Sequence, residues 1–332
     1  GADLFVSYRA ATPDAPFDDD QWRLDAKGGP WSEAPDEEAL GRQVRHFDPD
    51  AVLVISWGVG AYRRLSRSLR GRTLRLLCMD NAWLGTAKQW GGRALSPVLI
   101  RPTYDAAFLC GDRQADFARR LGFPDDRILW GLYTCDHPTF AAVAAARPPD
   151  PPHAFLFAGR LVPEKGVDVL ADAYARYRVA SADPWPLVVC GTGPLDVVLD
   201  RVAGVERLGF VQPHDLPDVY ARTGCLVLPS RFEPWGVAIH EATSAGLAVV
   251  CSSACGASSR LVLDGFNGAV IPPGDAVALA DALARIAAST TDRAALSRHS
   301  SVLAAQFTPQ RWAGYLMERV MWIRRRLGLD GG

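Results

Sequence analysis

The chain has 332 residues, of which 48% are hydrophobic and 22% are charged, and its formal net charge is −1. This length exceeds what one hydrophobic core usually covers, so two globular domains are expected. The near-zero charge excludes a global electrostatic basis for nucleic-acid binding, and the apolar runs fall short of the roughly 20 residues of a membrane-spanning helix.

Short apolar runs alternate with helical patterns in the first half of the chain, which predicts a parallel sheet with crossover helices. The predicted strands are Leu4–Tyr8, Ala51–Trp57, Thr73–Asp80, Ala106–Gly111 and Ile128–Tyr133. The predicted helices are Glu37–His46, Ala61–Leu69 and Arg113–Leu121. Residues 9–35 are rich in Asp, Pro and Gly and are predicted to form a long loop.

A stretch rich in alanine and proline, Ala141–Pro152, follows these elements. Because proline stiffens a connection and disfavours helix and central strand, we expect a linker here and place the domain boundary between residues 145 and 146.

The second half repeats the alternation. The predicted strands are Phe155–Ala158, Leu187–Cys190, Val205–Phe210, Cys225–Pro229, Ala248–Cys251 and Ala269–Ile271. The predicted helices are Val167–Arg178, Pro194–Val202, Gly236–Ser244, Ala276–Ala288 and Pro309–Leu327. Thr308 is a good N-cap for the last of these helices. Two doubly wound domains are therefore expected, with a ligand beyond the carboxyl ends of the strands and in the cleft between the domains.

Two cations flank the loop that follows the first strand of the second domain. Gly159 is followed by Arg160, and Lys165 precedes the helix that starts near Gly166. Cations beside a helix N-terminus at a strand end are typical of an anion site. Two solvated loop cations are the structural alternative.

Gly191 and Gly193 follow the next predicted strand and open a helix. This glycine pattern is weak, since the third glycine of a dinucleotide fingerprint is missing, and a structural turn explains it equally well. Val211 ends the strand after it, where backbone groups could pair with a nucleobase edge.

Two acids surround a glycine turn in Ser230–Glu241. Glu233 lies in the loop, Gly236 begins a helix, and Glu241 lies within that helix. The free amides at such a helix start suit phosphate, and a carboxylate can accept hydrogen bonds from two neighbouring sugar hydroxyls. Stabilisation of the helix dipole by the two acids is the alternative, but it does not explain Trp235 and Gly236 between them.

The second half resembles the donor-binding domain of glycosyltransferase family 4, the retaining enzymes of GT-B architecture. The matching segments cover about residues 154–330 in order and at fitting spacing: Gly159–Arg160, Glu164–Gly166, Gly191–Gly193, Gly209–Val211, Ser230–Gly236, Glu241, Gly265–Gly268 and Pro272–Asp275.

The resemblance implies an α/β GT-B fold, with two facing Rossmann-like domains at residues 1–145 and 146–310 and a last helix, 311–332, that crosses back to the first domain. It implies that Arg160 and Lys165 bind the donor diphosphate, that Glu233 contacts the transferred sugar, and that Glu241 binds the ribose hydroxyls. The residues expected to bind the nucleotide sugar are Gly159, Gly191, Gly193, Val211, Trp235, Gly236, Val237 and Glu241. UDP- or GDP-linked sugars are the expected donors, with no nucleic-acid partner.

The first half departs from the family, since Tyr8–Pro13 stands where a glycine-rich loop is usual. Asp80 and Asn81 end the third predicted strand and are candidate sugar or acceptor contacts, with turn capping as the alternative. Asp18–Asp20 lies in a polar loop rather than after a strand, and Cys251 and Cys255 lack a second nearby pair, so neither cluster predicts a metal site. We expect no cofactor beyond the donor sugar.

Two features bear on location. Seven cysteines, an odd number, favour reduced thiols in a cytoplasmic protein. The run from Tyr62 to Arg75 has six arginines and no acid, and Arg63 to Arg75 could contact the inner membrane face or an anionic acceptor. A solvated crossover helix is the alternative.

The expected function is metal-independent, anomer-retaining sugar transfer from a nucleotide sugar. An epimerase or phosphorylase of the same architecture is the main alternative. A NAD-dependent oxidoreductase is disfavoured because no acidic ribose partner follows Gly193 at the expected distance. A catalytically inactive binding protein is disfavoured because Arg160, Lys165, Glu233 and Glu241 are all present.

Overall fold

The computed structural model describes residues 3–4, 6–8, 32–33, 36–288 and 291–329. Of the predicted first strand, Ser7–Tyr8 (β1) is extended and pairs in parallel with Ser32–Glu33 (β2), inside the predicted long loop. Asp18–Asp20 and the segment from residue 9 to residue 13 lie outside the described residues.

The first domain contains a four-stranded parallel sheet, whose strands lie in the order in which they occur in the chain. The strands are β3 (Ala51–Val54), β4 (Leu74–Met79), β5 (Ala106–Leu109) and β6 (Ile128–Trp130). The helices are α1 (Glu37–Phe47), α2 (Gly60–Ser68), α3 (Ala87–Leu99) and α4 (Asp112–Arg120).

Alternate strand residues face two separate cores. Leu77 and Leu109 face a core that includes residues of α4, whereas Leu76 and Phe108 face α12 (Pro309–Leu327). The last helix thus covers the second face of the first sheet, and Arg324 donates to the Asp50 carbonyl at 2.5 Å. The sheet is therefore buried on both sides, as its continuous apolar strands require.

The second domain contains a six-stranded parallel sheet in the order β12–β11–β10–β7–β8–β9. Its strands are β7 (Phe155–Ala158), β8 (Leu187–Cys190), β9 (Val205–Gly209), β10 (Cys225–Leu228), β11 (Ala248–Ser252) and β12 (Gly268–Ile271). The helices around it are α5 (His137–Ala145), α6 (Val167–Ala180), α7 (Leu216–Ala221), α8 (Val237–Ser244), α9 (Ser258–Leu261), α10 (Ala276–Ala287) and α11 (Arg293–Ala304). The strand order reverses between β7 and β10, which makes their adjacent carboxyl ends the switch point of the sheet.

The expected linker is wrong in its first part, because Ala141–Ala145 belongs to α5. The helix begins with Pro138 in its first turn and an Asp136 side chain that accepts from the Thr139 amide, and its alanines favour helix over extended chain. Helix α5 packs against α7 and α8, so the second domain begins to assemble before the proline run.

Other differences follow from short or irregular patterns. Helices α3, α7, α9 and α11 were not predicted, and the predicted helix over Pro194–Val202 is a 3-10 segment at Asp196–Arg201. All seven cysteines are buried free thiols. Within the described residues, none of the helices combines the length and the apolar character that crossing a bilayer requires.

Candidate active site

The switch point of the second sheet brings together the loops that follow β7 and β10. Lys165 ends a short 3-10 helix after β7, and Glu233 lies in the loop after β10. In an open parallel sheet, this crevice is where ligands bind. The two segments that the sequence singled out separately are therefore neighbours.

These two loops are joined by backbone contacts. Gly166 has a φ of +68°, and a Cβ at this position would lie 2.3 Å from the Pro229 carbonyl oxygen, so only glycine fits. The Arg231 amide donates to the Glu164 carbonyl at 2.8 Å. The Arg231 guanidinium also binds both carboxylate oxygens of Asp168 at 2.6 Å. The loops are thus held in register from two sides.

The Lys165 ammonium contacts the Glu233 carboxylate directly. Their side chains are 19% and 10% exposed, so the pair is partly shielded from water but still open to the cleft. From the sequence, Lys165 was expected to bind the diphosphate and Glu233 the transferred sugar. In the structure each neutralises the other, so a ligand that uses both must compete with this ion pair.

Arg160 differs from Lys165 in its surroundings. Its side chain is exposed and forms no hydrogen bond or ion pair with any described residue. It lies directly after β7 and Gly159, at the same sheet edge as Lys165. An unpaired cation here adds positive charge to the crevice.

Gly191 and Gly193 have a structural explanation that requires no ligand. A Cβ on Gly191 would lie 1.9 Å from the Gly159 carbonyl oxygen, and one on Gly193 would lie 2.4 Å from the Leu161 carbonyl oxygen. The Leu161 amide donates to the Thr192 carbonyl at 2.9 Å, which binds the two turns together. These glycines shape the crevice by letting the turns touch.

Gly236 begins α8 with a φ of +99°, and no side chain caps this helix. The first amides of a helix have no partner within it, so those near Val237 are available for an anion. Trp235 is only 3% exposed, and its buried indole N–H donates to no described residue. Val211 is partly buried and packs against the core of this domain, beyond the end of β9.

Glu241 is held by Tyr220, a fully buried residue of α7. The Tyr220 hydroxyl donates to a Glu241 carboxylate oxygen at 2.8 Å. Burial raises the pKa of the Glu241 carboxyl above its usual value, and the Tyr220 hydrogen bond opposes that rise. The adjacent His240 has no such role: it is buried, its pKa is lowered to about 4 by burial, and its ring packs edge-on against Phe307.

The first domain reaches this site through Asp80, Gln114 and Tyr133. The Gln114 side-chain amide donates to the Asp80 carbonyl at 2.8 Å and to the Pro234 carbonyl of the second domain at 3.3 Å. The Tyr133 hydroxyl donates to the Asp80 carboxylate at 3.2 Å, and burial raises the pKa of Tyr133. Asn81 is exposed beside them. Asp80 therefore faces the loop that carries Glu233.

Two further contacts hold the domains together here. The Arg260 guanidinium binds both carboxylate oxygens of Asp112 at 2.9 and 2.6 Å, and it lowers the pKa of that carboxyl. The Trp235 ring lies over Gly111, where a Cβ would be 3.2 Å from the ring. Sequence reasoning missed Gln114 and Arg260, which act across the cleft, and Tyr220, which acts from another helix of the second domain, because no local motif marks such long-range contacts.

A cavity of about 550 Å³ lies beside Trp235, between the domains and the start of α12. It is lined by Cys110, Gly111, Trp130, Gly131, Tyr133, Thr134, Trp235, Arg260, Gln306, Phe307, Thr308, Arg311, Trp312, Tyr315 and Glu318. Its lining shares Trp235 with the predicted donor crevice but does not include Lys165, Glu233 or Glu241, so the cavity adjoins that crevice without containing its charged residues.

The second domain is similar to a known protein family. Residues 152–289 match the family described as Glycosyl transferases group 1. This matched segment contains the Lys165–Glu233 pair and Glu241. The match supports the prediction that the chain is a glycosyltransferase.

Curated relatives are similar over about half of the chain. An alpha-D-kanosaminyltransferase from Streptomyces kanamyceticus is 28% identical over 181 residues, which cover 52% of this chain and 46% of that protein. A D-inositol 3-phosphate glycosyltransferase from Stackebrandtia nassauensis is 30% identical over 217 residues, which cover 60% of this chain and 43% of that protein. The chain thus spans less than half the length of these two relatives.

Solved structures are similar over nearly the whole chain. HepE from Anabaena, in complex with UDP and glucose, superposes with a TM-score of 0.67 at 18% identity, covering 89% of this chain and 81% of HepE. Sucrose-phosphate synthase from Thermosynechococcus elongatus gives a TM-score of 0.68 at 18% identity, with coverages of 89% and 78%. The fold is GT-B, as the sequence predicted.

The arginine-rich run is only partly exposed. Arg75 is 3% exposed and binds Asp105 at 2.6 Å, so it is not part of any outer surface. Arg64 contacts Glu37, and Arg67 donates to the Val98 carbonyl at 2.8 Å. The predicted continuous face from Arg63 to Arg75 is therefore interrupted.

Proposed function

We propose that the chain transfers a sugar from a nucleoside diphosphate sugar to an acceptor held against the first domain, with retention of the anomeric configuration and without a metal ion. One observation carries the proposal: the switch point of the second sheet brings Lys165 and Glu233 into contact, with Arg160 directly after β7 and Glu241 within α8, the helix that follows the Glu233 loop. Cations and helix amides suit a diphosphate, and carboxylates suit sugar hydroxyls.

The proposed roles follow from these positions. Lys165 and Arg160 stabilise the charge that develops on the leaving diphosphate, Glu233 orients the transferred sugar, and Glu241 binds the ribose. Asp80 and Asn81, which follow β4, would contact the sugar or the acceptor from the first domain. A UDP-linked donor is the first choice because the HepE structures contain UDP and UDP-glucose, and a GDP-linked donor is the second.

The direct test is a thermal-shift screen of UDP-, GDP-, ADP- and TDP-sugars, followed by product analysis. A ligand at 100 times its dissociation constant should add about 2.7 kcal/mol to the free energy of unfolding. We expect one donor class to stabilise the protein and to yield free nucleoside diphosphate only when an acceptor is added. Conversion of the donor sugar without any acceptor would instead identify an epimerase.

The Lys165–Glu233 ion pair predicts opposite effects of one substitution on binding and on turnover. Glu233→Gln should raise the affinity for the bare nucleoside diphosphate, because Lys165 is no longer neutralised. The same change should lower sugar transfer, because a carboxylate contact to the sugar is lost. Calorimetry and initial rates measure the two effects.

The matched control for Glu233→Gln uses a background without the cation. In Lys165→Ala, adding Glu233→Gln should raise nucleoside diphosphate affinity less than it does in the wild type, since it removes the repulsion by the carboxylate but releases no ammonium. An equal gain in both backgrounds would show that the ion pair does not control binding.

The raised pKa of Glu241 predicts that nucleotide affinity depends on pH. Ribose hydroxyls bind best to the ionised carboxylate, whereas burial favours the protonated form, so affinity should fall as the pH drops through this raised pKa. Tyr220→Phe removes the hydrogen bond that lowers the pKa. The midpoint of the affinity loss should then move to higher pH.

The phosphate groups of the nucleoside diphosphate also titrate, so the wild type and the variants must be compared in the same buffers to cancel that contribution. Glu241→Gln should bind nucleoside diphosphate more weakly and should retain only the phosphate-dependent part of the profile. Identical profiles for the wild type and Tyr220→Phe would separate Glu241 from nucleotide binding.

A further inference from the structure

Helix α3 exposes an apolar face on the outside of the first domain. Trp90, Leu95 and Val98 are 51%, 54% and 67% exposed. The opposite side of the helix is buried through Gly92 and Ser96, and Gly92 approaches the Trp57 ring so closely that a Cβ would lie 2.9 Å from it. The helix is therefore anchored on its inner side, while large side chains point to solvent on the outer side.

This arrangement differs from that of a solvated surface helix. Such a helix places charged residues outward and apolar residues inward. In α3 the inner side carries Gly92, Ser96 and Leu99, and the outer side also carries Ala87, Ala94 and Pro97. A contiguous exposed apolar surface of this kind is typical of an interaction site.

Basic residues flank the apolar face. Lys88 and Arg93 are exposed on the helix, and Arg101 is exposed directly after it. The Arg93 guanidinium lies over the Trp90 ring, 5.1 Å from its centroid. The sequence from residue 81 to residue 104 contains no Asp or Glu.

The charge asymmetry extends to the whole of this region. Residues 51–104 contain nine Lys and Arg and one acid, Asp80, and the formal charge of +8 falls to +6 when Glu37 and Asp105, the partners of Arg64 and Arg75, are included. Since the whole chain carries −1, all other residues together carry −7. Arg67 of α2 donates to the Val98 carbonyl at 2.8 Å, which places the cations of α2 next to α3. The exposed apolar face thus lies within the positive part of a nearly neutral protein.

We propose that the outer face of α3, with the exposed cations beside it, binds the surface of a bilayer that contains anionic lipids. Trp90, Leu95 and Val98 would enter the boundary between headgroups and acyl chains, and the helix would lie parallel to the surface. Lys88, Arg93 and Arg101 would contact lipid phosphates. An apolar face and a basic rim provide the two signals that stable surface binding requires.

The position of α3 in the chain connects this surface with the proposed reaction. Helix α3 follows β4 and the Asp80–Asn81 loop, so a bilayer bound at α3 lies beside the acceptor side of the crevice. A lipid-borne acceptor would then be supplied in the plane of the membrane. This last step rests on the proposed function, whereas lipid binding itself does not.

Vesicle co-sedimentation tests the surface without requiring donor, acceptor or turnover. We expect the protein to sediment with phosphatidylcholine vesicles that contain phosphatidylglycerol, to bind pure phosphatidylcholine much more weakly, and to dissociate as salt is added. The double substitution Leu95→Glu with Val98→Glu should lower the partition coefficient by about tenfold or more, since it replaces apolar contacts with charges.

The matched control carries the same change in charge on the second domain. Val179 and Val302 are 90% and 59% exposed, and Val179→Glu with Val302→Glu should leave vesicle binding unchanged. Circular dichroism and thermal melting confirm that both variants fold, and light scattering reports their oligomeric state. Failure of the wild type to bind anionic vesicles, or equal binding by both double variants, would overturn the proposal. A dimer that the Leu95/Val98 variant alone abolishes would instead assign the face to a second copy of the chain.

Discussion

Replacing Lys165 with alanine should lower the initial rate of sugar transfer by about 10²–10³, the cost of removing one fixed donor to a developing charge. Two effects act in the same direction. The diphosphate loses a cation at the switch point, and Glu233, whose side chain is only 10% exposed, is left with an unpaired carboxylate that repels it.

The measurement is the initial rate at saturating donor and acceptor, with circular dichroism as the folding control. Arg176→Ala is a suitable surface control, since Arg176 pairs with Asp172 on α6 and both side chains are about half exposed. We expect that variant to retain its rate. Exhaustive EDTA treatment should also leave the wild-type rate unchanged if the cations replace a metal.

Two results would contradict this account. A near-normal rate for Lys165→Ala would remove Lys165 from the reaction, and activity that EDTA abolishes and manganese restores would replace the cationic mechanism with a metal-dependent one. Arg160→Ala should also lower the rate, although Arg160 has no described partner whose charge it would leave unpaired.

The strands and the last helix could be predicted because their signals are local. Phe155–Ala158 and Leu187–Cys190 are continuous apolar runs, and the structure has strands with those bounds. Pro309–Leu327 begins after Thr308, whose hydroxyl accepts from the Arg311 amide at 3.3 Å. These features need no knowledge of tertiary contacts.

Helix α3 could not be predicted in the same way. Gly91, Gly92 and Pro97 are poor helix formers, and they argue against a helix when read alone. Thr86 and Gln89 form a capping box that starts the helix. The close packing of Gly92 on the Trp57 ring leaves no room for a side chain, so glycine is favoured there. Tertiary contact therefore overrides the local preference.

In the candidate site, too, the positions of the residues could be predicted from the sequence but their contacts could not. The positions of Lys165, Glu233 and Glu241 could be read from the sequence, because each lies near a strand end or a helix start. That Lys165 binds Glu233, and that Tyr220 holds Glu241, depends on which strand ends become neighbours. Sheet order is a long-range property, so no motif of a few residues contains it.

Gly191→Ala should destabilise the second domain by about 4 kcal/mol or more, because it combines two costs that single substitutions rarely combine. Gly191 has a φ of +140°, which disfavours a residue with a Cβ, and that Cβ would lie 1.9 Å from the Gly159 carbonyl oxygen. Backbone hydrogen bonds hold both turns in place. The Gly191 amide donates to the Gly209 carbonyl at 2.7 Å, and the Gly159 amide donates to the Cys190 carbonyl at 2.9 Å.

Thermal melting with and without nucleoside diphosphate measures this effect, and Gly274→Ala is the matched control. Gly274 has a φ of +82° but nothing within 4 Å of an added Cβ, so it reports backbone strain alone, at about 1–2 kcal/mol. The difference between the two variants isolates the contact between the turns after β7 and β8. If Gly191→Ala melts no lower than Gly274→Ala, the turns are free to separate, and the glycines at 191 and 193 must be explained by the approach of a ligand.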